Sequence, residues 1–187
     1  MTELHNQRLK DGLQNVIATV DEQSYRALLF HVPRNRKRIL ELGSASGGQW
    51  NILADWTPHG DPIVGIDLYE PLVTKAQADG KLIYEGYVED MYFFPDESFD
   101  LICSRHVMEH LGDVDRGIQE ISRVLKPGGY SAHVTPDMVG DNEPAHLNKW
   151  PVSDWAKTWE SFDFNVIFAK KYPFHGGESH IVCRKKV

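Results

Sequence analysis

The residues best equipped for chemistry gather in three places. The first is Ile39-Leu40-Glu41-Leu42-Gly43-Ser44-Ala45-Ser46-Gly47-Gly48, an apolar run that passes into a loop of small residues. Glycines at such a point let the main chain approach a ligand closely and take positive φ. Glu41 brings a carboxylate into the loop, and no Lys-Ser or Lys-Thr pair follows, which removes the phosphate-cradling P-loop. The second place is Asp67, which ends the apolar run Ile63-Val64-Gly65-Ile66, 20 residues beyond Gly47. A carboxylate so placed accepts hydrogen bonds from both hydroxyls of a ribose; its plainer use is to cap a helix ahead of Pro71. The third is a group of histidines, the usual general bases near neutral pH. Of the nine in the chain, His106 stands where an apolar run ends, and His146 lies beside Glu143 in a long irregular stretch.

His106-Val107-Met108-Glu109-His110 also spells the H-x-x-E-H pattern of one class of zinc protease. That chemistry needs a helix presenting both imidazoles, whereas here the motif begins as a strand ends and Gly112 closes it. No metal is therefore expected, and no spacing among His133, His146 and His175 argues for one. His110 is expected to orient local structure, and His175 and His180 to be structural or exposed. Alternation along its strand leaves His133 able to face either side.

These groups need a scaffold, and hydrophobic periodicity supplies one. Residues 1–32 read as helical, with Leu9, Leu13, Val16, Ile17 and Val20 on one stripe and Asp21 as the cap of a second helix that Pro33 stops. From residue 38 the pattern changes to strands at 38–42, 63–67, 81–84, 99–104 and 129–134, with helices at 48–56, 71–78 and 114–125 between them. Asp113 caps the last helix, and Lys126-Pro127-Gly128-Gly129 breaks it. Strands interleaved with helices imply parallel pairing, because parallel neighbours need a crossover. Residues 165–169 and 178–184 are joined too closely for a crossover and should pair antiparallel. Trp155 and Trp159 share a helical face and belong in the core. The stretch 136–151 is the longest irregular one and the natural place for substrate contacts.

Four segments in order, Leu40-Glu41-Leu42-Gly43, Phe94-Pro95-Asp96-Glu97-Ser98-Phe99-Asp100, Glu109-His110-Leu111 and Val124-Leu125-Lys126-Pro127-Gly128-Gly129, carry a resemblance. Over residues 38–134 the chain resembles the class I S-adenosylmethionine (SAM)-dependent methyltransferases, particularly their small-molecule branch. The resemblance implies an α/β, Rossmann-like fold: a seven-stranded, mostly parallel sheet flanked by helices, with an antiparallel strand near the C-terminal edge. It implies SAM as cofactor and S-adenosylhomocysteine as product. Glu41, Gly43, Ala45 and Gly47 would cradle the methionine part, Asp67 would hold the ribose, and Leu68 would lie against the adenine. Glu89, Asp90 and Met91 would bracket the adenine edge, and Ser104, Arg105 and His106 would line the site near the transferable methyl. The family's loop usually carries glycine where this chain has Ala45, a substitution that is costly if φ there is positive.

The implied reaction is methyl transfer to a small-molecule acceptor at oxygen or nitrogen, with His106 and His146 as candidate catalytic groups. Nucleic acid is not expected as a partner: the net charge is −7, and such binding draws on clustered Lys and Arg. Ser104-Arg105-His106-Val107 also replaces the Pro-Pro-aromatic turn typical of nucleic-acid amino-methyltransferases. No apolar run is long enough to span a bilayer, and Cys103 and Cys183, each within an apolar run, fit a reducing, cytoplasmic setting. One domain over 1–187 is expected, with a helical cap at 1–37, a SAM-binding core at 38–134 and an acceptor-side loop and hairpin at 135–187. The oligomeric state stays open, a dimer included. Two other functions also fit the glycine loop: a SAM- or nucleotide-binding module without catalysis, and an NAD-dependent oxidoreductase.

Overall fold

The computed structural model describes residues 22–57, 60–137 and 143–187. Its elements in chain order are α1 (Glu22–Leu29), β1 (Ile39–Leu42), α2 (Trp50–Leu53), β2 (Ile63–Asp67), α3 (Glu70–Ala78), β3 (Leu82–Glu85), β4 (Phe99–Arg105), α4 (Val114–Val124), β5 (Leu125–Pro136), α5 (Val152–Glu160), β6 (Phe164–Tyr172) and β7 (Glu178–Lys185). The strands form one seven-stranded sheet in the order β3-β2-β1-β4-β5-β7-β6. The first five pair in parallel, and β7 runs antiparallel between β5 and β6. The expected α/β sheet with an antiparallel strand near its C-terminal edge is therefore present.

Side chains alternate across each strand, and the alternation in β1 assigns the two faces. Leu40 and Leu42 join Ile118, Ile121, Trp155 and Trp159 in a core under α4 and α5. Ile39 points the other way, into a second core with Tyr25, Leu28 and Leu29 of α1. Glu41 shares that second face, and so lies within reach of α1 rather than of α4. Trp155 and Trp159 are fully buried, as their spacing predicts.

Two elements differ from the periodic reading. The helix expected over 48–56 is a single turn, α2, continued by a 3-10 turn at Ala54–Trp56. Strand β5 starts at Leu125, not at 129, because Leu125 already pairs with Phe99 and the Pro-Gly-Gly step is absorbed as a register shift opposite Phe99 to Leu101. A strand bulge and a helix stop use the same residues, so composition cannot separate them. Asp113 caps α4 as expected, its Oδ1 accepting from Arg116 N at 2.9 Å. The stripe from Leu9 to Val20 and the Asp21 cap lie outside the described residues. No helix among the described residues is long and apolar enough to cross a membrane.

Candidate active site

The glycine loop sits at the carboxyl end of β1, where an open parallel sheet receives its ligands. Gly43, Ala45 and Gly47 take φ of 60°, 48° and 72°. A Cβ on Gly43 would lie 2.3 Å from Val107 Cγ2, so the loop's contact with the exit of β4 requires glycine there. Ala45 adopts the left-handed conformation despite its methyl group, at a cost of about 1–2 kcal/mol. Asp67 helps hold it: Oδ2 accepts from Ala45 N and Oδ1 from Tyr69 N, both at 2.8 Å. Asp67 thus braces the loop and the start of the β2–α3 turn together. Burial pushes its pKa up, against the backbone hydrogen bonds that pull it down.

Beneath the loop, Glu41 is 3% exposed. Its oxygens accept from Tyr25 Oη at 3.2 Å and from Trp50 Nε1 at 2.9 Å. Burial outweighs these neutral donors and pushes the carboxyl up to about 8. Lys81, one residue ahead of β3, reaches over the loop and donates to Ser46 O at 2.6 Å and Gly47 O at 3.2 Å. Nothing in the sequence marked Tyr25, Trp50 or Lys81 as part of this site, since each arrives from another element.

A second polar cluster lies at the end of β4. Ser104 is fully buried, and its hydroxyl meets His133 Nδ1 at 2.7 Å, while Ser131 Oγ meets Nε2 at 2.6 Å. His133 stacks on Trp159, and burial drives its pKa down to about 3, so it is a neutral core residue. His106 takes φ of 55° and donates its main-chain N–H to Val134 O at 2.8 Å. Its Nε2 lies 3.0 Å from Glu178 Oε1, which also accepts from Arg105 Nη2 at 3.1 Å. Ser24 Oγ and His180 Nε2 engage the other oxygen of Glu178.

Glu178 is fully buried. Burial alone would raise its pKa, but the hydrogen bonds from His106, His180 and Ser24 and the Arg105 charge prevail and hold it well below the ordinary carboxylate range. Burial lowers the pKa of His106, against the pull of Glu178. A neutral imidazole that donates Nε2–H to a carboxylate keeps its basic lone pair on Nδ1. Neutral His106 therefore has a fixed tautomer, with its acceptor nitrogen at Nδ1. Glu178, 72 residues away in sequence, is the candidate partner that the sequence does not reveal; a lone glutamate at the start of a strand gives no signal.

The remaining candidates are more dispersed. Glu89 Oε1 accepts from Gly112 N at 3.0 Å, and Asp90 is exposed. Met91 is fully buried, with its N–H on Glu120 Oε2 at 2.9 Å and its carbonyl on Arg123 Nη2 at 2.8 Å. Leu68 is half-buried beside Asp67. His146 packs its ring against His110 at 4.7 Å, and its charged form would disfavour protonation of His106.

The chemistry of these donors can be set against the cofactors that the loop admits. Two buried carboxylates pushed toward their neutral forms suit a ligand that brings hydroxyls and positive charge. SAM brings both, in its ribose and in its sulfonium and ammonium groups. Ser44 Oγ, buried in the same loop, has no hydrogen-bond partner among the described residues and packs over Gly65 of β2. A dinucleotide brings a pyrophosphate, whose binding relies on the amides of a helix N-terminus. Here the helix after the loop is the four-residue α2. The residues fit SAM and do not fit a dinucleotide.

Comparison with known proteins agrees. Residues 40–132 match a family described as a methyltransferase domain. The chain is 28% identical over 144 residues to an uncharacterized methyltransferase, YcgJ, of Bacillus subtilis, covering 65% of this chain and 54% of that protein. It is 32% identical over 138 residues to a glycine/sarcosine/dimethylglycine N-methyltransferase of Actinopolyspora halophila, covering 69% of this chain and 24% of that one. The chain thus spans about half or less of the length of these curated relatives. Among solved structures, a chain from the complex of the Haloferax volcanii Trm112 methyltransferase activator with its methyltransferase superposes with a TM-score of 0.77 at 17% identity, covering 98% of this chain and 96% of that one.

Proposed function

The chain belongs to the class I SAM-dependent methyltransferases, and from that premise we propose that it transfers the methyl group of SAM to a small-molecule acceptor at oxygen or nitrogen, with His106 as the general base. The observation that carries this reading is the pairing of His106 with Glu178 at the end of β4, the strand that lies beside the glycine-loop strand β1. SAM supplies a methyl group already activated by its sulfonium. The protein's part is to position the acceptor and manage its proton.

Glu41 and the main chain from Gly43 to Gly47 hold the methionine end, and Asp67 holds the ribose. Leu68 and the turn at Glu89, Asp90 and Met91 flank the adenine. His106 Nδ1 takes the acceptor's proton, a contribution of roughly 10²–10⁴-fold for a positioned base. Glu178 holds the imidazole in its working tautomer and stabilises the cation that forms. His146 approaches from the loop ahead of α5 and contacts the acceptor.

Calorimetric titration with SAM and with S-adenosylhomocysteine tests the cofactor assignment. Binding of both in the micromolar range is expected, weakened at least tenfold in Asp67→Ala. Absence of binding by the folded protein would overturn the assignment. An acceptor screen with methyl-labelled SAM tests turnover; a SAM-binding module without catalysis would bind and never transfer label.

A further inference from the structure

Glu109 and His110, within the run that begins at His106, have no role in the proposed methyl transfer. The H-x-x-E-H segment does not form the helix that a zinc protease needs: after β4 the chain makes a 3-10 turn at Met108–His110. The turn separates the two histidines. His106 faces Glu178, whereas His110 faces His146, with ring centroids 4.7 Å apart. Ligand-capable atoms of Glu109, His110 and His146 all lie within 4.8 Å of one another.

We infer that Glu109, His110 and His146 form a binding site for a divalent transition metal, zinc in the first instance, where the turn after β4 meets the loop ahead of α5. Three observations carry this beyond proximity. First, His110 Nδ1 lies 3.0 Å from Ala145 O. A carbonyl only accepts, so Nδ1 carries a proton and the neutral imidazole has its lone pair on Nε2, the arrangement in which a histidine ligand is oriented by a backbone carbonyl. Second, that lone pair looks at Glu109 Oε1 across 3.7 Å, and the Glu109 side chain is fully buried. A carboxylate and the lone pair of a neutral imidazole, facing each other beside a second imidazole, are a donor set that one cation can share.

Third, the loop that brings His146 is clamped to the turn that brings the other two ligands. Leu147 N and Asn148 N both donate to Glu109 O, at 2.8 and 3.0 Å. Asn148 Nδ2 donates to Leu111 O at 2.7 Å and to Met108 O at 3.3 Å. The ligands therefore come from two segments held in fixed register. Ligand atoms around tetrahedral zinc stand roughly 3.3 Å apart, given bond lengths of about 2.0–2.2 Å. Rotation of side chains about this fixed backbone closes the difference.

Two imidazoles and one carboxylate suit zinc, iron or nickel rather than magnesium or calcium, which prefer all-oxygen shells. Three protein ligands leave a fourth position for an oxygen donor, either water or an acceptor oxygen. The metal site stands whether or not methyl transfer does.

The test uses the full chain stripped with EDTA and titrated with zinc chloride against a chromophoric chelator, then with cobalt chloride followed by visible absorption. One zinc per chain at submicromolar affinity and a four-coordinate cobalt spectrum are expected. His146→Ala and His110→Ala should each weaken zinc by more than about 100-fold, beyond the 10–100-fold typical of lost supporting residues. Glu109→Gln, which keeps the buried shape, should also weaken it. His31→Ala, whose ring stacks on Phe168 in β6, should leave it unchanged. Zinc uptake that survives the His110 and His146 substitutions would overturn the site. So would no stoichiometric uptake at all, the result expected if His110 is instead a protonated partner of Glu109.

Discussion

Glu41 and Glu178 are both removed from water, one beneath the glycine loop and the other beside His106 at the end of β4, yet their pKa values move in opposite directions. Glu41 is met by a phenol and an indole. Neutral donors do not repay the desolvation of a charge, so the carboxyl keeps its proton to about 8. Glu178 is met by a guanidinium, two imidazoles and a hydroxyl, and stays ionised. Burial is common to both, and the partners decide. The carboxyl beneath the glycine loop is thereby prepared to receive a cation, and the one at the end of β4 holds a standing negative charge behind His106.

The largest effect should come from breaking the second region. Glu178→Ala removes the buried carboxylate that Arg105, His106, His180 and Ser24 share. Loss of one partner from such a buried set costs about 3–5 kcal/mol, read from urea unfolding. Glu178→Gln should lose less stability, because the amide oxygen still accepts, and should nonetheless abolish base function. A stable Glu178→Ala protein would show that Arg105 and His106 are not held as the structure shows.

Dependence on pH sharpens the contrast, because the two glutamates act with opposite sign. Glu41 has a folded pKa of about 8 against an ordinary 4.5, so the folded state holds the extra proton between those values. Its contribution to stability is fully present at the acid end of that window and falls as pH rises through it, by at most about 1.4 kcal/mol per pH unit. Glu178 is shifted down, so its contribution is present above the ordinary glutamate value and is lost on acidification. Unfolding free energies from pH 3 to 9 should therefore decline toward both ends. Glu41→Gln should flatten the decline toward pH 8 and leave the acid limb intact. An unchanged alkaline limb in that variant would remove Glu41 from the account.

A related expectation concerns the ligand. Arrival of the SAM ammonium beside Glu41 lowers the carboxyl's pKa, so binding at neutral pH should release a proton. Calorimetry in buffers of different ionisation enthalpy would detect the release, and Glu41→Gln should abolish it. The smallest effect belongs to Ala45. Ala45→Gly relieves the left-handed strain but loosens the unfolded chain, which leaves a net change within about 1 kcal/mol. SAM affinity should change less than about threefold, since the Ala45 N–H is already held by Asp67.

Much of the cofactor side was legible because its parts follow one another along the chain. Gly43, Gly47 and Asp67 do their work through main-chain conformation and the end of a strand, and both leave traces in residue type and spacing. The sequence marks Ala45 as costly only if φ there is positive, and φ is 48°. The acceptor side left no such trace. His106 is marked by its place at a strand end, but Glu178 reaches it across 72 residues of chain, and Ser24 reaches Glu178 across 154.

By itself the sequence determined the strand-and-helix alternation, the parallel sheet with its antiparallel hairpin, and the glycine loop with Asp67 opposite. Each of these is a local consequence of hydrophobic period and backbone freedom. Only the tertiary structure decided that Glu41 sits under Tyr25 and Trp50, that His133 is sealed in the core while His106 is not, and that His110 meets His146 instead of His106. Those outcomes depend on which side chains the sheet order and the turn after β4 bring face to face, and on how far each polar group is taken from water. Desolvation and partner identity are properties of the assembled fold, and no spacing along the chain encodes them.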